Sequence, residues 1–322
     1  MTDFNNKFMK IALDAMGGDF APHAILEGAL LGAEKVGHET TIVLVGQEEV
    51  MRAFFDKAGH LPKNIELVHA PEVIGMSEHP TKALPQKPKS SISVGFGLLK
   101  NKEVDAFCGA GNTGAMHVAA LFSVQAIKGV SRPAIISYVP KLDGRMGIIL
   151  DVGANTDCKP EHLQQFAQIG SIFCQHVFNI DKPKVALINL GEEPGKGNIT
   201  TQAAYKLLST NSKINFVGNI EGRDLYNEKA DVIVCDGFIG NIVIKMAESY
   251  FEILKKRNYE DEFFENFNYE SIGGSPILGI NGNVIIGHGI SNALTIQNML
   301  LMAERMVKAD IHTKIRESIN VD

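Results

Sequence analysis

The sequence lacks the features of several large classes of protein. It has no dense run of Lys and Arg, and the 322-residue chain carries a net charge of −6, so it offers no basic surface to nucleic acid. No apolar run approaches the roughly 20 residues that cross a bilayer, and residues 1–10 lack the apolar segment of a secretion signal. We therefore expect a cytoplasmic protein that binds no nucleic acid.

Cysteine is scarce and scattered. The four cysteines are far apart, form no C-x-x-C pair and lie in apolar runs, at Cys108, Cys158, Cys174 and Cys235. Metal and redox sites need clustered thiols, so these residues are expected to be reduced members of the core. They predict no metal ligand and no cofactor.

What the sequence does have is a regular alternation of strand and helix patterns. Short apolar runs such as residues 10–14, 41–46 and 146–150 alternate with longer stretches whose apolar residues have helical spacing. Strands that alternate with helices form a mostly parallel sheet covered by helices. We predict a three-layer α/β/α sandwich that forms one domain over residues 1–322, with a helical projection at about residues 246–272.

A strand, a glycine-rich turn and a helix follow one another at residues 104–122, which read VDAFCGAGNTGAMHVAALF. The first N–H groups of a helix have no partner inside it, so Asn112, Thr113 and Gly114 are expected to present free donors at the positive end of the helix dipole. Such a place binds anions, most often phosphate. The alternative is a turn that serves only close packing of the helix on the strand.

The same stretch matches the dinucleotide fingerprint G-x-G-x-x-G at Gly109, Gly111 and Gly114. That fingerprint requires a ribose-binding acid at the end of the next strand, but the next predicted strand ends in Pro140 and Lys141. The pattern therefore favours an anion site over a nicotinamide cofactor.

Three predicted strands end in an aspartate, namely Asp14, Asp151 and Asp236. Ligands of open α/β sheets bind beyond the carboxyl ends of the strands, so these ends define a functional edge. Turn and helix-cap chemistry is the alternative explanation for any one of them. The other residues expected at this edge are Gly17, Gly18, Gly153, Asn155, Glu193, Lys196, Gly237 and Asn241.

Two further features are expected beside this edge. Residues 72–89 carry several prolines together with Lys82, Lys87 and Lys89, which predicts a loop or lid that is either an anion-facing flap or a solvated surface. His288 follows another strand and is expected to be a proton donor, an anion ligand or a structural residue.

The helix after Asp236 is longer than one face of a sheet needs. Its apolar residues Tyr250, Phe251 and Leu254 have helical spacing, and an aromatic, acidic segment follows at residues 257–269. Such an excursion packs on a second subunit or lies on a membrane, and we predict the subunit contact.

Taken together, these residues resemble the bacterial phosphate acyltransferase family. The matching blocks occur in order over nearly the whole chain: IALDAMGGDFAP (11–22), AGNTGA (110–115), RPAI (132–135), LDVGANTDC (150–158), LINLGEEPGKGN (187–198), GNIEGRD (218–224), CDGFIGN (235–241), GGSPILG (273–279) and IIGHG (285–289). The chain departs from the family pattern at Pro85, where the family usually has arginine, and at Lys89, where it has an acid.

The resemblance implies a Rossmann-like fold and the transfer of an acyl group from acyl carrier protein to inorganic phosphate, at the start of phospholipid synthesis. It also implies a homodimer, peripheral association with the inner face of the cell membrane, a downstream glycerol-3-phosphate acyltransferase as partner, and no cofactor. The alternatives are a phosphotransacetylase that uses coenzyme A and a non-catalytic scaffold of lipid synthesis. Clustered aspartates leave Mg²⁺ open as a ligand.

Phosphate attack on a thioester needs little help from a general base, because phosphate is largely dianionic near neutral pH and a thiolate leaves readily. The chemistry then depends on positioning and on stabilisation of the oxyanion. We place the phosphate at residues 112–114, with Lys87 or Lys196 nearby. The residues expected to be catalytic are Asp14, Asn155, Asp236 and His288.

Recognition of the carrier protein requires a local basic cluster. Acyl carrier proteins are typically acidic, and this chain is acidic too, so long-range attraction does not bring the two together. We predict that Lys255, Lys256 and Arg257 form the docking surface, with the lysines of residues 72–89 as the alternative.

Overall fold

The structure of the chain is a computed structural model that describes residues 8–259, 261–267 and 273–320, apart from the side chains of residues 262 and 320. The chain divides into two compact units. The first comprises the described residues of Met1–Gln125, Tyr269–Gly274 and Ile280–Lys308, and the second those of Ala126–Asn268, Ser275–Gly279 and Ala309–Asp322. One domain over residues 1–322 stays a prediction.

Strands and helices alternate along the chain, as the apolar pattern predicts. The strands are β1 (Met9–Asp14), β2 (Thr40–Gly46), β3 (Ile65–His69), β4 (Ala106–Gly109), β5 (Ala134–Pro140), β6 (Met146–Leu150), β7 (Lys184–Ile188), β8 (Asn215–Ile220), β9 (Val232–Val234), β10 (Ser275–Leu278) and β11 (Asn283–Ile286). The helices are α1 (His23–Ala33), α2 (Glu48–Ala58), α3 (Pro80–Gln86), α4 (Ser91–Lys100), α5 (Thr113–Ala119), α6 (Pro160–Val177), α7 (Ile199–Ser209), α8 (Gly237–Lys256), α9 (Glu262–Glu265), α10 (Ala293–Lys308) and α11 (Ile311–Asn320). A π-helical turn at Ala120–Val124 continues α5, and a 3₁₀ turn lies at Gly222–Asp224.

The first unit contains a parallel sheet in the order β3-β2-β1-β4-β11. Its central strands are buried, and Ile11 of β1 pairs with Ile42 on one side and Ala106 on the other. Helices α1 and α10 pack closely against each other because position 28 is glycine, and a side chain there would collide with Ile296. This sheet aligns the carboxyl ends of β1, β4 and β11 at one edge.

The second unit contains a mixed sheet in the order β10-β5-β6-β9-β7-β8. Strands β6, β9, β7 and β8 are parallel, whereas β5 is antiparallel to both of its neighbours. Helix α6 packs on this sheet with Gly170 against Leu150 and Val232. The predicted α/β class with mostly parallel strands is confirmed.

The proline-rich segment at residues 72–89 is not free of helix, which corrects the prediction. Helix α3 forms there because Pro80 stands at the first helical position, where a backbone N–H has no partner in any case. Pro85 lies next to its last residue, so the helix is only seven residues long.

The predicted helical projection is only partly described, since residues 260 and 268–272 lie outside the described residues. Phe251 of α8 is buried in a cluster with Ala247 and Phe267, so the prediction that it contacts a second subunit is wrong. Within the described part of the chain, no helix is both long and apolar enough to cross a membrane.

Candidate functional site

The three aspartates predicted at strand ends are where the pattern places them. Asp14 is the last residue of β1 in the first unit, Asp151 directly follows β6, and Asp236 follows β9 by two residues in the second unit. The predicted functional edge is therefore divided between the two units.

In the first unit, Asp14 organises two glycine turns. Its side chain is fully buried, and its Oδ1 accepts a hydrogen bond from the Met16 N–H at 3.0 Å. A Cβ at position 17 would lie 2.6 Å from the Cα of Gly111, so the two turns pass each other only as glycines. Burial raises the pKa of Asp14, while hydrogen bonds from Ser91, Met16 and Gly17 act against that rise. Asp14 thus positions the backbone of the loop that follows β1, and its predicted catalytic role stays a prediction.

Gly18 and His288 belong to the same edge. Gly18 has φ of +117°, and the following Asp19 N–H donates to the Gly289 carbonyl at 2.7 Å. His288 stands between Gly287 and Gly289 beyond β11, and its side chain is exposed. The structure thus brings the loop after β1 and the loop after β11 together, and a catalytic role of His288 stays a prediction.

Asn112 begins α5 as predicted, but its side chain is engaged within the chain. Its Oδ1 accepts from the Ala115 N–H at 3.0 Å, and its Nδ2 donates to the carbonyls of Gly75, Met76 and Glu78 at 3.1, 3.1 and 2.8 Å. An amide nitrogen has two hydrogens, so all of its donor capacity is used. The Asn112 side chain therefore has no donor left for an anion, and phosphate binding by the backbone N–H groups of residues 112–114 stays a prediction.

The other parts of that predicted phosphate site are engaged as well. Lys87 Nζ donates to Glu78 at 2.5 Å and to the Val73 carbonyl at 2.8 Å, so its charge is paired. A Cβ at Gly114 would lie 2.6 Å from the Pro80 ring, which covers the place where we expected an anion to approach. Thr113 and Gly114 do begin the helix, and Thr113 remains exposed while Pro80 packs against Gly114.

In the second unit, Asp151 holds the loop that follows β6, and its substrate-binding role stays a prediction. Its carboxylate accepts from the N–H groups of Ile135 (2.9 Å), Ala154 (3.3 Å) and Asn155 (2.6 Å), and from Asn155 Nδ2 (2.9 Å). The same Nδ2 donates to the Pro133 carbonyl at 2.8 Å. Burial raises the pKa of Asp151, and these N–H donors oppose that rise. Asp151 and Asn155 therefore position the loop that follows β6.

The start of α8 packs directly on this loop. Gly237 donates its N–H to the Asn155 carbonyl at 2.7 Å, and a Cβ there would lie 2.7 Å from Asp151 Oδ2. Gly153 has φ of +126° and lies beside Asn241, whose Nδ2 points to the Val152 carbonyl. The structure thus brings together the predicted residues Asp151, Gly153, Asn155, Gly237 and Asn241.

Asp236 is the N-cap of α8, since its Oδ1 accepts from the Ile239 N–H at 2.8 Å. It is half-buried and lines a pocket of about 130 Å³ that lies wholly within the second unit. The polar wall of this pocket consists of Thr156, Asp157, Cys158, Asn198, Thr200, Thr201 and Asp236. Its floor is apolar and consists of Leu163, Leu187, Ile188, Cys235 and Ile239.

Most of the pocket wall was missed from the sequence. Thr156, Cys158 and Thr200 lie one or a few residues from predicted loop residues, but hydroxyl and thiol side chains in loops carry no signal of their own. Burial raises the pKa of the Cys158 thiol to about 12, with Asp151 and Asp236 adding to the rise, so this thiol stays protonated. All four cysteines are free.

Glu193 and Lys196 lie on an exposed loop between β7 and α7 of the same unit. Asn219 Nδ2 donates to the Glu193 carbonyl at 3.0 Å, and Asn189 Nδ2 to the Lys196 carbonyl at 3.1 Å. These two amides fix the backbone of the loop, and the substrate-binding role of its side chains stays a prediction.

The predicted docking residues lie together at the end of α8. Lys255, Lys256 and Arg257 are exposed, and Lys255 Nζ lies 5.6 Å from the centre of the Phe251 ring. Their position is compatible with a docking surface, which stays a prediction. In the described residues, no group of three or more His, Cys, Asp and Glu is placed to hold a metal ion.

The fold is that of the phosphotransacetylases. A phosphotransacetylase from Streptococcus pyogenes is 16% identical and superposes with a TM-score of 0.67 over 93% of this chain and 94% of that one. The EutD phosphotransacetylase from Staphylococcus aureus is 17% identical, with a TM-score of 0.65 over the same shares. Because the sequence identities are this low, these two structures show the fold of the chain and not its function.

Sequence comparison identifies the family. Residues 9–263 match the model of the family described as "Fatty acid synthesis protein". A phosphate acyltransferase from Dictyoglomus turgidum is 45% identical over 97% of this chain and 98% of its own length, and one from Salinibacter ruber is 41% identical over 96% and 97%. The chain belongs to this family of phosphate acyltransferases. It is therefore an enzyme, an acyltransferase that transfers acyl groups to phosphate.

Proposed function

We propose that the acyl donor is the thioester of acyl carrier protein and that the product is an acyl phosphate, formed at the start of phospholipid synthesis. The observation that carries this proposal is the identity of more than 40% with phosphate acyltransferases over nearly the whole chain. The polar pocket with an apolar floor beyond β6, β7 and β9 supports it, because an open α/β sheet binds its ligands at the carboxyl ends of strands.

The reaction is a single acyl transfer. A phosphate oxygen attacks the thioester carbonyl carbon, the C–S bond breaks, and the carrier leaves as a thiolate that takes a proton from water. The thiol product has an ordinary pKa of about 8.5, so its thiolate leaves without a dedicated acid. The protein then has to hold phosphate and carbonyl in line and to stabilise the developing oxyanion.

The chain's own residues divide this work. Asp151 and Asn155 fix the loop after β6, and Asp236 fixes the start of α8. The positive ends of the α7 and α8 dipoles lie beside the pocket, with the Thr200 and Thr201 side chains in its wall, although the N–H groups of Thr201, Gly237 and Ile239 are bonded within the chain. These dipoles and hydroxyls favour negative charge there. No step in this scheme uses a cofactor.

We also propose a homodimer formed through the exposed face of α8. Residues at a spacing of three or four remain exposed on this helix: Phe238, Ile242, Met246, Tyr250 and Ile253. A continuous apolar face is costly in water, and a second copy of the chain is the occupant that the family resemblance implies. Peripheral membrane association, a cytoplasmic location and transfer of the product to a glycerol-3-phosphate acyltransferase belong to the same proposal.

The test is a direct assay for product. The purified chain is incubated with acyl-acyl carrier protein and phosphate, and acyl phosphate is trapped with hydroxylamine as the hydroxamate. We expect hydroxamate only when both substrates are present. Equal turnover of acyl-coenzyme A without carrier protein would favour the phosphotransacetylase alternative, and no turnover of either donor would favour a scaffold.

A further inference from the structure

The backbone at Arg132 is held beside the loop that lines the pocket of the second unit. On one side, the Ser131 N–H donates to Gln165 Oε1 at 2.8 Å. On the other side, the buried Pro133 receives the Asn155 Nδ2 hydrogen bond at 2.8 Å. Asn155 directly precedes the pocket residues Thr156–Cys158, so the network that shapes the pocket also fixes the base of the Arg132 side chain.

The Arg132 guanidinium is exposed and has no carboxylate partner among the described residues. By contrast, Arg52, Arg145 and Arg223 form ion pairs with neighbouring acids. Burial is the largest influence on both neighbouring groups: it raises the pKa of the Cys158 thiol and lowers the pKa of the His162 ring, and the charge of Arg132 acts to lower both pKa values. Its charge therefore acts on the pocket wall, where Cys158 lies.

The pocket needs such a cation. Two carboxylates, Asp157 and Asp236, line it, and one oxygen of Asp236 is already bonded to the Ile239 N–H. A phosphate dianion would be repelled by these two acids unless a positive group offset their charge.

We propose that Arg132 binds inorganic phosphate at the mouth of this pocket. A guanidinium presents a planar fork of N–H donors that matches two phosphate oxygens, and a bidentate pair of this kind fixes orientation as well as position. The inference rests on the proposed function and deepens it, since it assigns the acceptor phosphate to the second unit and to a residue outside the predicted phosphate site at residues 112–114.

The test compares Arg132→Gln and Arg132→Lys with Lys159→Gln. Lys159 is a neighbouring exposed cation, so its replacement removes the same charge from the same surface. We expect Arg132→Gln to raise the KM for phosphate about 10- to 100-fold, which is the value of a lost charge-assisted hydrogen bond. Arg132→Lys should give a smaller rise, and Lys159→Gln should change the phosphate KM by less than about threefold. An unchanged phosphate KM in Arg132→Gln, or a rise confined to the KM for the acyl donor, would overturn the proposal.

A binding measurement separates this inference from the proposed function. Inorganic phosphate should raise the melting temperature of the parent and of Lys159→Gln, but not that of Arg132→Gln, while all three melt alike without phosphate. This comparison can be made even if the parent forms no acyl phosphate. A lack of acyl phosphate would contradict the proposed function but not phosphate binding by Arg132. An equal phosphate-induced shift in parent and Arg132→Gln would contradict the role of Arg132.

Discussion

Lys141 allows a quantitative prediction, because it is a lysine with almost no exposed surface. Its side chain is 2% exposed, and Nζ donates to the Leu225 carbonyl at 2.6 Å. Burial lowers the pKa of Lys141 from 10.5 to about 8, although Asp231 acts in the opposite direction. The folded state therefore holds this proton less tightly than the unfolded chain does.

The difference in pKa corresponds to about 3 kcal/mol of lost stability at neutral pH. Between pH values of about 8 and 10.5 the unfolded chain binds more protons than the folded one, so stability rises with pH across that window. By linkage, about 2 kcal/mol should be recovered between pH values of roughly 7 and 9.5. Lys141→Met removes the titrating group but leaves the Leu225 carbonyl without its donor, which costs about 1–3 kcal/mol.

The expected result is a difference in stability that depends on pH. Near neutral pH, removing the buried charge and leaving the Leu225 carbonyl unpaired nearly offset each other, so variant and parent should be about equally stable. At a pH of about 9.5 the parent has recovered about 2 kcal/mol, so Lys141→Met should then be about 2 kcal/mol less stable than the parent. Urea unfolding of both proteins at the two pH values measures this, and titration of the other groups cancels in the comparison. If the difference between variant and parent is the same at both pH values, the pKa of Lys141 is not lowered by burial and the reasoning fails.

Three further predictions concern the site and its surfaces. Gly237→Ala should lower the melting temperature and the activity, since its Cβ would lie 2.7 Å from Asp151 Oδ2. Gly195→Ala is the control, because a Cβ there has no neighbour within 4 Å, and it should leave both quantities unchanged. Equal behaviour of the two variants would show that close packing at Gly237 is not required. The double variant Ile242→Glu with Met246→Glu should convert the proposed dimer to a monomer in sedimentation experiments, because unpaired charge in a desolvated contact is costly. A variant that stays dimeric but loses binding to lipid vesicles would instead assign the exposed face of α8 to a membrane. Reversing the charges at Lys255, Lys256 and Arg257 should raise the KM for acyl carrier protein and leave the KM for phosphate unchanged, and the opposite pattern would remove the docking assignment.

Local chemistry made the ends of elements predictable. Asn112 and Asp236 cap helices in the structure, each through a side-chain oxygen that accepts a backbone N–H three residues later. Such caps depend on neighbours in sequence, and a short polar side chain before an apolar helix is sufficient to indicate them. The alternation of strands and helices was predictable for the same reason.

Strand direction was not predictable in the same way. From the pattern we expect Lys141 at the ligand-binding edge, but β5 is antiparallel to β6, and its end pairs with the start of β6 rather than with Asp151. A strand that is largely buried, as β5 is, has a similar apolar pattern in either direction, so its direction depends on which strands become its neighbours.

The sequence by itself determined the α/β class, the positions of the strand ends and the family, because each depends on short-range patterns and on ordered blocks of residues. Only the tertiary structure decided what those residues touch. Asn112 and Lys87 have the chemistry to bind an anion, yet each is bonded to residues 73–78, while Arg132 has no carboxylate partner among the residues that the structure describes. The physical reason is that a polar group's function depends on whether its hydrogen-bonding capacity is already used, and the groups that use it come from distant parts of the chain.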